Sequence, residues 1–267
     1  MSRIVISIDP VIFTLGSLEL RWYSLSILVA ILVGVWVAER EYRRRDLAPT
    51  HFGGIAFYAI AGGILGARLL HIVDRLDYYA AHPAHVLNFQ SGGLAIYGAV
   101  LGGFAGVAVA TRIYRVPMLL VIDAVAPALA LAQAIGRLGC IVNGDAWGAR
   151  TDWPLAFVYT NPESFIPDRL LDVPTYPYPL YDMALNLVVF AVVWRLRRRP
   201  LPAGTLFATF VTLYAIGRFG ISWVREERVW VIGLQEAQIV ALAGAAIGAA
   251  ALVALLGRSR RAAPVTR

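Results

Sequence analysis

The stretch MLLVIDAVAPALALAQAI, Met118–Ile135, holds a single acid and no base and is otherwise almost wholly apolar. Its length is close to the roughly 20 residues that an α-helix needs to cross about 30 Å of hydrocarbon, so it is read as a membrane span. Six further stretches share its character: Leu18–Ala38, Phe52–Val73 and Gly92–Ala110 before it, and Pro179–Trp194, Gly204–Val224 and Val231–Leu256 after it. The fold class that follows is an all-α integral membrane protein with seven transmembrane helices. Composition agrees. Of 267 residues, 59% are hydrophobic and 15% charged, with a mean hydropathy of +0.66, whereas a soluble domain carries about 25% charged residues. A single soluble core is excluded.

All 24 basic residues are arginine, and set against 17 acids they leave a formal charge of +7. Positively charged short loops stay in the cytoplasm, so the distribution of arginine between spans predicts orientation. One side collects 14: Arg40, Arg43, Arg44, Arg45, Arg112, Arg115, Arg195, Arg197, Arg198, Arg199, Arg258, Arg260, Arg261 and Arg267. The other holds seven, namely Arg3, Arg75, Arg137, Arg150, Arg169, Arg225 and Arg228, while Arg21, Arg68 and Arg218 fall inside spans. The expected topology has the N-terminus outside and the C-terminus in the cytoplasm. Met1–Leu20 lacks a charged n-region followed by an apolar stretch and a small-residue cleavage site. No removable signal peptide is expected, and insertion relies on the first span itself.

Depth separates a few arginines from these topology determinants. On the expected topology Arg68 and Arg218 lie five and six residues inside the outer ends of their spans, roughly 7–9 Å below the boundary at 1.5 Å per residue. Arg137 and Arg225 follow the outer ends of the fourth and sixth spans. Four arginines on three helices therefore reach one outward layer. Each alone could snorkel or pair with a carboxylate. However, the in-span acid Asp123 belongs to the cytoplasmic half, and the nearest outward acids, Asp74, Asp77, Asp145 and Glu226, are in or beside loops. Such an arginine excess suits a phosphate, because guanidinium offers a rigid fork and stays charged when poorly solvated.

Tyr23, Tyr97 and Tyr181 sit near the outer starts of spans and fit an interfacial aromatic belt. Tyr97 differs in being embedded in SGGLAIYG, Ser91–Gly98, where small residues permit close approach. His51, His71, His82 and His85 show no metal or triad spacing, and the lone Cys140 allows no internal disulfide. Neither a metal nor another cofactor is expected. Gly62 with Gly66, Gly98 with Gly102 and Gly106, and Gly244 with Gly248 have the spacing of close helix contacts. No repeat or linker divides the chain, so a single membrane-embedded domain is expected, with one long outward-facing loop at about 137–178.

GRLGCIVNGDAWG, Gly136–Gly148, closely resembles the signature of the prolipoprotein diacylglyceryl transferases, bacterial enzymes that lipidate lipoprotein precursors. The likeness covers nearly the whole chain. It takes in Asp9–Phe13, Leu20–Tyr23, Gly66-Ala67-Arg68, Gly92–Gly103, Tyr176–Asp182, Arg218–Arg225 and Gln238. The resemblance implies transfer of the diacylglyceryl group of phosphatidylglycerol to the lipobox cysteine thiol of a prolipoprotein signal peptide. Glycerol 1-phosphate would be released, in the bacterial inner membrane, with no metal or nucleic acid involved.

By the same resemblance Arg137 is the phosphatidylglycerol-binding arginine and Arg218 the essential arginine of the sixth helix. Asn143, Gly148 and Tyr23 match further family positions, and Arg68 and Arg225 join the expected lipid-binding set. Tyr97 stands where one branch of the family has a histidine proposed as base, Ser222 where glutamate is frequent, Asp182 and Asp145 where glutamates stand, and Cys140 where many members have asparagine. Arg137, Arg218 and Tyr97 are thus the expected catalytic residues. Two other readings remain open from the residues: a membrane protein that binds or transports an anionic lipid without chemistry, and a family relative with a different acceptor.

Overall fold

The computed structural model describes residues 3–16, 18–87 and 93–262. In chain order the elements are strands β1 (Ile4–Ile6), β2 (Val11–Leu15) and β3 (Leu18–Arg21), and helices α1 (Trp22–Arg44), α2 (Phe52–Asp74), α3 (Leu76–Ala81), α4 (Ile96–Ile113) and α5 (Met118–Asn143). Then follow strand β4 (Phe157–Tyr159), helices α6 (Tyr178–Leu196) and α7 (Thr205–Ile221), strands β5 (Val229–Val231) and β6 (Leu234–Gln235), and helix α8 (Glu236–Ala262). Among the described residues, seven helical segments are long and apolar enough to cross a membrane. They correspond one for one to the seven expected spans. Outside them the strands make three small pairings: β1 with β4 in parallel, and the hairpins β2–β3 and β5–β6.

The span ends differ from the hydropathy reading. The first span begins at Trp22 instead of Leu18, because Leu18–Arg21 pairs with β2. Arg21 consequently lies in a hairpin, bonded to the Glu19 carboxylate at 2.8 Å, and not within a span. The last span begins at Glu236, since β5 and β6 occupy the apolar run expected to start it. Gly92, Ser91 and Arg267 lie outside the described residues. Helix α5 runs past Ile135 to Asn143, so Arg137 is inside the helix and does not follow it. Gly144, at φ +75°, stops the helix there and returns its N–H to the Cys140 carbonyl at 3.0 Å, an ending that favours glycine.

The chain forms two compact units, Met1–Ala38 with Ile122–Arg267, and Glu39–Val121. In the smaller unit α2 and α4 meet at the glycines read from the sequence. A Cβ on Gly62 would stand 2.5 Å from the Gly102 carbonyl oxygen, and Gly66 and Gly98 each face the other's carbonyl at closer range still. Only glycine permits this backbone approach.

In the larger unit Ala126 and Ala130 of α5 pack with Val189 and Val193 of α6 and Leu206 and Phe210 of α7. Asp123, 2% exposed, accepts the N–H groups of Gly204 and Phe207, both at 2.9 Å. This intramembrane acid therefore caps the start of α7, where unpaired amides and the positive helix end both favour a carboxylate. The long connection after α5 has its own small core of Ile6, Phe157, Tyr159, Ile166 and Leu170. Tyr159 donates from it to the Ile141 carbonyl at 3.0 Å, tying the connection to the last turn of α5. Burial, with the Asp145 carboxylate as the next contribution, pushes the Tyr159 phenol well above its ordinary range, so it remains a donor.

Candidate active site

The ends of three helices in the larger unit meet at one carboxylate. Asp182, fully buried near the start of α6, receives Arg137 of α5 through Nη2 to Oδ2 at 2.6 Å. Nη1 of Arg218, from the last turn of α7, lies 3.7 Å from the same oxygen. One turn along α6, Asn186 donates Nδ2 to Asp182 Oδ1 at 3.1 Å and to the Asp182 carbonyl at 2.8 Å. Two guanidinium groups thus share one acid, whose other oxygen is held by a neutral amide. Arg137 and Arg218, whose side chains are 23% and 14% exposed, are tolerable there because they are paired with the buried acid. Arg137 also donates Nη1 to Cys140 Sγ at 3.4 Å, and Ser222 donates its hydroxyl to the Arg218 carbonyl at 2.7 Å.

A third arginine is joined through an aromatic ring. Arg218 and Arg225 lie 5.2 and 5.0 Å from the ring centroid of Tyr178, within cation–π range. The Arg225 guanidinium pairs with Glu227 at 2.8 Å, and its carbonyl accepts Gln235 Nε2 at 3.0 Å. Gln238 accepts the Gln235 N–H at 2.9 Å, so this buried glutamine secures the turn beneath Arg225. The Arg225 backbone also bridges to Gly148. A Cβ on Gly148 would stand 2.5 Å from the Tyr176 carbonyl oxygen and 2.9 Å from that of Val224, which explains a glycine there.

Asn143, 4% exposed, donates Nδ2 to Asp145 at 3.0 Å, while its carbonyl takes the Phe165 N–H at 2.8 Å. Tyr23 is on the first turn of α1, where it crosses α5. A Cβ on Gly139 would be 2.9 Å from the Tyr23 Cα. The larger unit accordingly contains Tyr23, Arg137, Asn143, Gly148, Arg218 and Arg225 of the expected set. Among the described residues, the buried polar atoms of this region without a hydrogen-bond partner include Asn143 Oδ1, Tyr178 OH and Asn186 Oδ1.

Arg68 and Tyr97 belong to the smaller unit. Arg68, 4% exposed, donates to the carbonyls of His85, Val86 and Gly93 at 2.6, 2.9 and 3.1 Å, and its guanidinium lies 5.3 Å from the Tyr79 ring centroid. Its fork thus ties the backbone at His85 and Val86 to that at Gly93. Tyr97 stands in the first turn of α4 and is partly exposed.

Among the outward acids considered as counter-ions, Glu226 pairs with Arg169 at 2.7 Å and Asp145 accepts Asn143. The acid that meets Arg137 and Arg218 is Asp182. Its sequence trace was an acid inside the fifth span, one helical turn before an asparagine, a spacing that brings the two side chains together on one face. Tyr178 was likewise not among the expected site residues, its aromatic character being indistinguishable from that of the interfacial belt.

Seven helices able to span a membrane and, in the larger unit, a half-buried arginine cluster where the ends of α5, α6 and α7 meet define a multi-pass membrane protein with a cationic site. Residues 10–254 match the family model for prolipoprotein diacylglyceryl transferase, and the chain belongs to that family. It is 35% identical over 237 residues to the phosphatidylglycerol–prolipoprotein diacylglyceryl transferase of Thermosynechococcus vestitus, covering 88% of each chain. To the protein of the same name from Nostoc sp. it is 34% identical over 257 residues, 94% of this chain and 90% of that one. The Lysinibacillus sphaericus protein of that name is 32% identical over 257 residues, 95% and 94% of the two chains.

Proposed function

We propose that this chain transfers the diacylglyceryl group of phosphatidylglycerol to the lipobox cysteine thiol of prolipoprotein signal peptides, releasing glycerol 1-phosphate. The observation that carries the mechanism is the pair Arg137 and Arg218 on the single carboxylate of Asp182. In the transfer a sulfur–carbon bond forms at the diacylglyceryl carbon, the carbon–oxygen bond to phosphate breaks, and negative charge grows on the departing glycerol phosphate. Fixed guanidinium groups aimed at that phosphate lower the barrier without reorganising, and terms of this kind are usually the largest in such sites. Arg137 and Arg218 take this role. Arg225, Asn143, Gly148 and Tyr23 shape the lipid-headgroup site around them, and Arg68 holds the backbone at His85, Val86 and Gly93. The thiol proton leaves to a base, for which Tyr97 stands at the family's position. A phenol with an ordinary pKa near 10 accepts a proton only as phenolate.

The proposed setting is the bacterial inner membrane. With the N-terminus outside, the arginine-rich connections face the cytoplasm, and the converging ends of α5, α6 and α7 open toward the outer leaflet. The chain acts as one transferase domain, its connection across 137–178 facing outward. Purified protein given phosphatidylglycerol and a lipobox peptide should yield diacylglyceryl-modified peptide. A peptide that stays unmodified while the lipid binds would point to binding without chemistry.

A further inference from the structure

The Tyr178 ring has two guanidinium groups within cation–π range, Arg218 at 5.2 Å and Arg225 at 5.0 Å from its centroid, while its hydroxyl meets no hydrogen-bond partner. The residue is 0% exposed and packs with Cys140 and Ala146, with Ile221 and Val224 alongside. Pro177 and Pro179 flank it, and its N–H bonds back to the Tyr176 carbonyl at 2.7 Å, so little main-chain freedom remains. A phenylalanine would fill the same space and stack equally well on both arginines. Buried tyrosine hydroxyls ordinarily find a partner, and one left without is costly. Its presence beside two guanidinium groups calls for an acceptor that arrives with the substrate, and the acceptor chemistry complementary to Arg218, Arg225 and an O–H donor is an anionic oxygen.

We infer that the Tyr178 hydroxyl is a substrate-binding group that donates a hydrogen bond to the headgroup phosphate of the lipid, presented by a buried ring that packs against Arg218 and Arg225. The inference rests on the transfer reading above and adds to it a recognition contact. Specificity follows from the position. The hydroxyl rewards a lipid that brings a phosphate into the cluster and gives nothing to a neutral diacylglycerol with the same chains, which would leave the donor unanswered.

The discriminating variant is Tyr178→Phe. It removes an oxygen that bonds to nothing in the unliganded protein, so the fold should be retained, with a thermal midpoint at or above that of the parent. In nanodiscs, phosphatidylglycerol affinity and kcat/KM for transfer should each fall about 10–100-fold, the loss of one hydrogen bond to a charged acceptor. Binding of diacylglycerol with matched chains should not change. Parent-like affinity and KM for phosphatidylglycerol in the Phe variant would overturn the assignment and leave the ring as packing alone. Should the parent bind phosphatidylglycerol but transfer nothing, the transfer reading fails, and the comparison of lipid affinities still decides the role of Tyr178.

Discussion

Asp182→Asn is the substitution that bears hardest on the site, because one buried carboxylate organises two arginines. Asparagine nearly preserves the shape, but its single amide oxygen can accept from Arg137 or from Asn186 and not from both, and it removes the charge that Arg137 meets at 2.6 Å and Arg218 faces at 3.7 Å. Stripping one partner from a buried pair costs about 3–5 kcal/mol when nothing replaces it; an amide oxygen that still accepts a hydrogen bond places the Asn variant near or below the bottom of that range. The effect on turnover comes through geometry. Without the shared acid the two guanidinium groups repel and move apart, and a misplaced electrostatic donor costs about 10²–10³ in kcat. The assay is a double-mutant cycle of transfer rates over the parent, Asp182→Asn, Arg137→Gln and the double variant. If Asp182 acts by setting Arg137, the second change adds little to the first, with a coupling energy of about 1–3 kcal/mol. Losses that simply add would refute the idea that the two residues work as a unit.

Replacing Asp123 by Ala leaves two N–H groups at the start of α7 without their acceptor, each costing about 1–3 kcal/mol if buried; thermal unfolding should fall markedly, and Asp123→Asn, which retains one acceptor oxygen, should fall between. Gly66→Ala drives a methyl into the Gly98 carbonyl and should destabilise by about 1–3 kcal/mol. Gly53→Ala in the same helix meets nothing within 4 Å and should be neutral or stabilising by up to about 1 kcal/mol, so equal effects would contradict the packing described. Tyr159, raised in the folded chain, favours folding fully below its unfolded pKa near 10, and that contribution drains away as pH rises toward the folded value. Tyr159→Phe should therefore lose the parent's extra alkaline sensitivity in pH-dependent unfolding, at the cost of about 0.5–1.5 kcal/mol for the bond to Ile141.

The spans were legible because hydropathy over some 20 residues is a strong and redundant pattern. Their ends were not. Val229-Trp230-Val231-Ile232 is as apolar as the helix that follows, and the backbone reversal at Ile232 and Gly233, φ +56° and +76°, turns it into a hairpin. The same ambiguity hid β3 at the start of the first span. Depth along the spans singled out Arg137 and Arg218, and both reach the cluster, although Arg137 does so from within α5. Depth could not distinguish an arginine facing a shared acid from one such as Arg68, whose donors meet three backbone carbonyls. That difference depends on where a sequence-distant loop folds back. Asp182, noted only as standing at a family glutamate position, and Tyr178 were not among the expected site residues for a related reason: a lone acid or tyrosine at the mouth of a span has many uses, and its meaning came from neighbours on α5 and α7.

The most direct measurement is peptide modification by purified protein in phosphatidylglycerol nanodiscs with a lipobox peptide, comparing the parent with Arg137→Gln and Arg218→Gln. The account predicts a peptide heavier by one diacylglyceryl group and stoichiometric glycerol phosphate from the parent, with both products reduced by at least about 10² in each variant. Parent-like rates from both variants, in samples that unfold at the parent's temperature, would contradict the assignment of the arginine cluster as the seat of the chemistry.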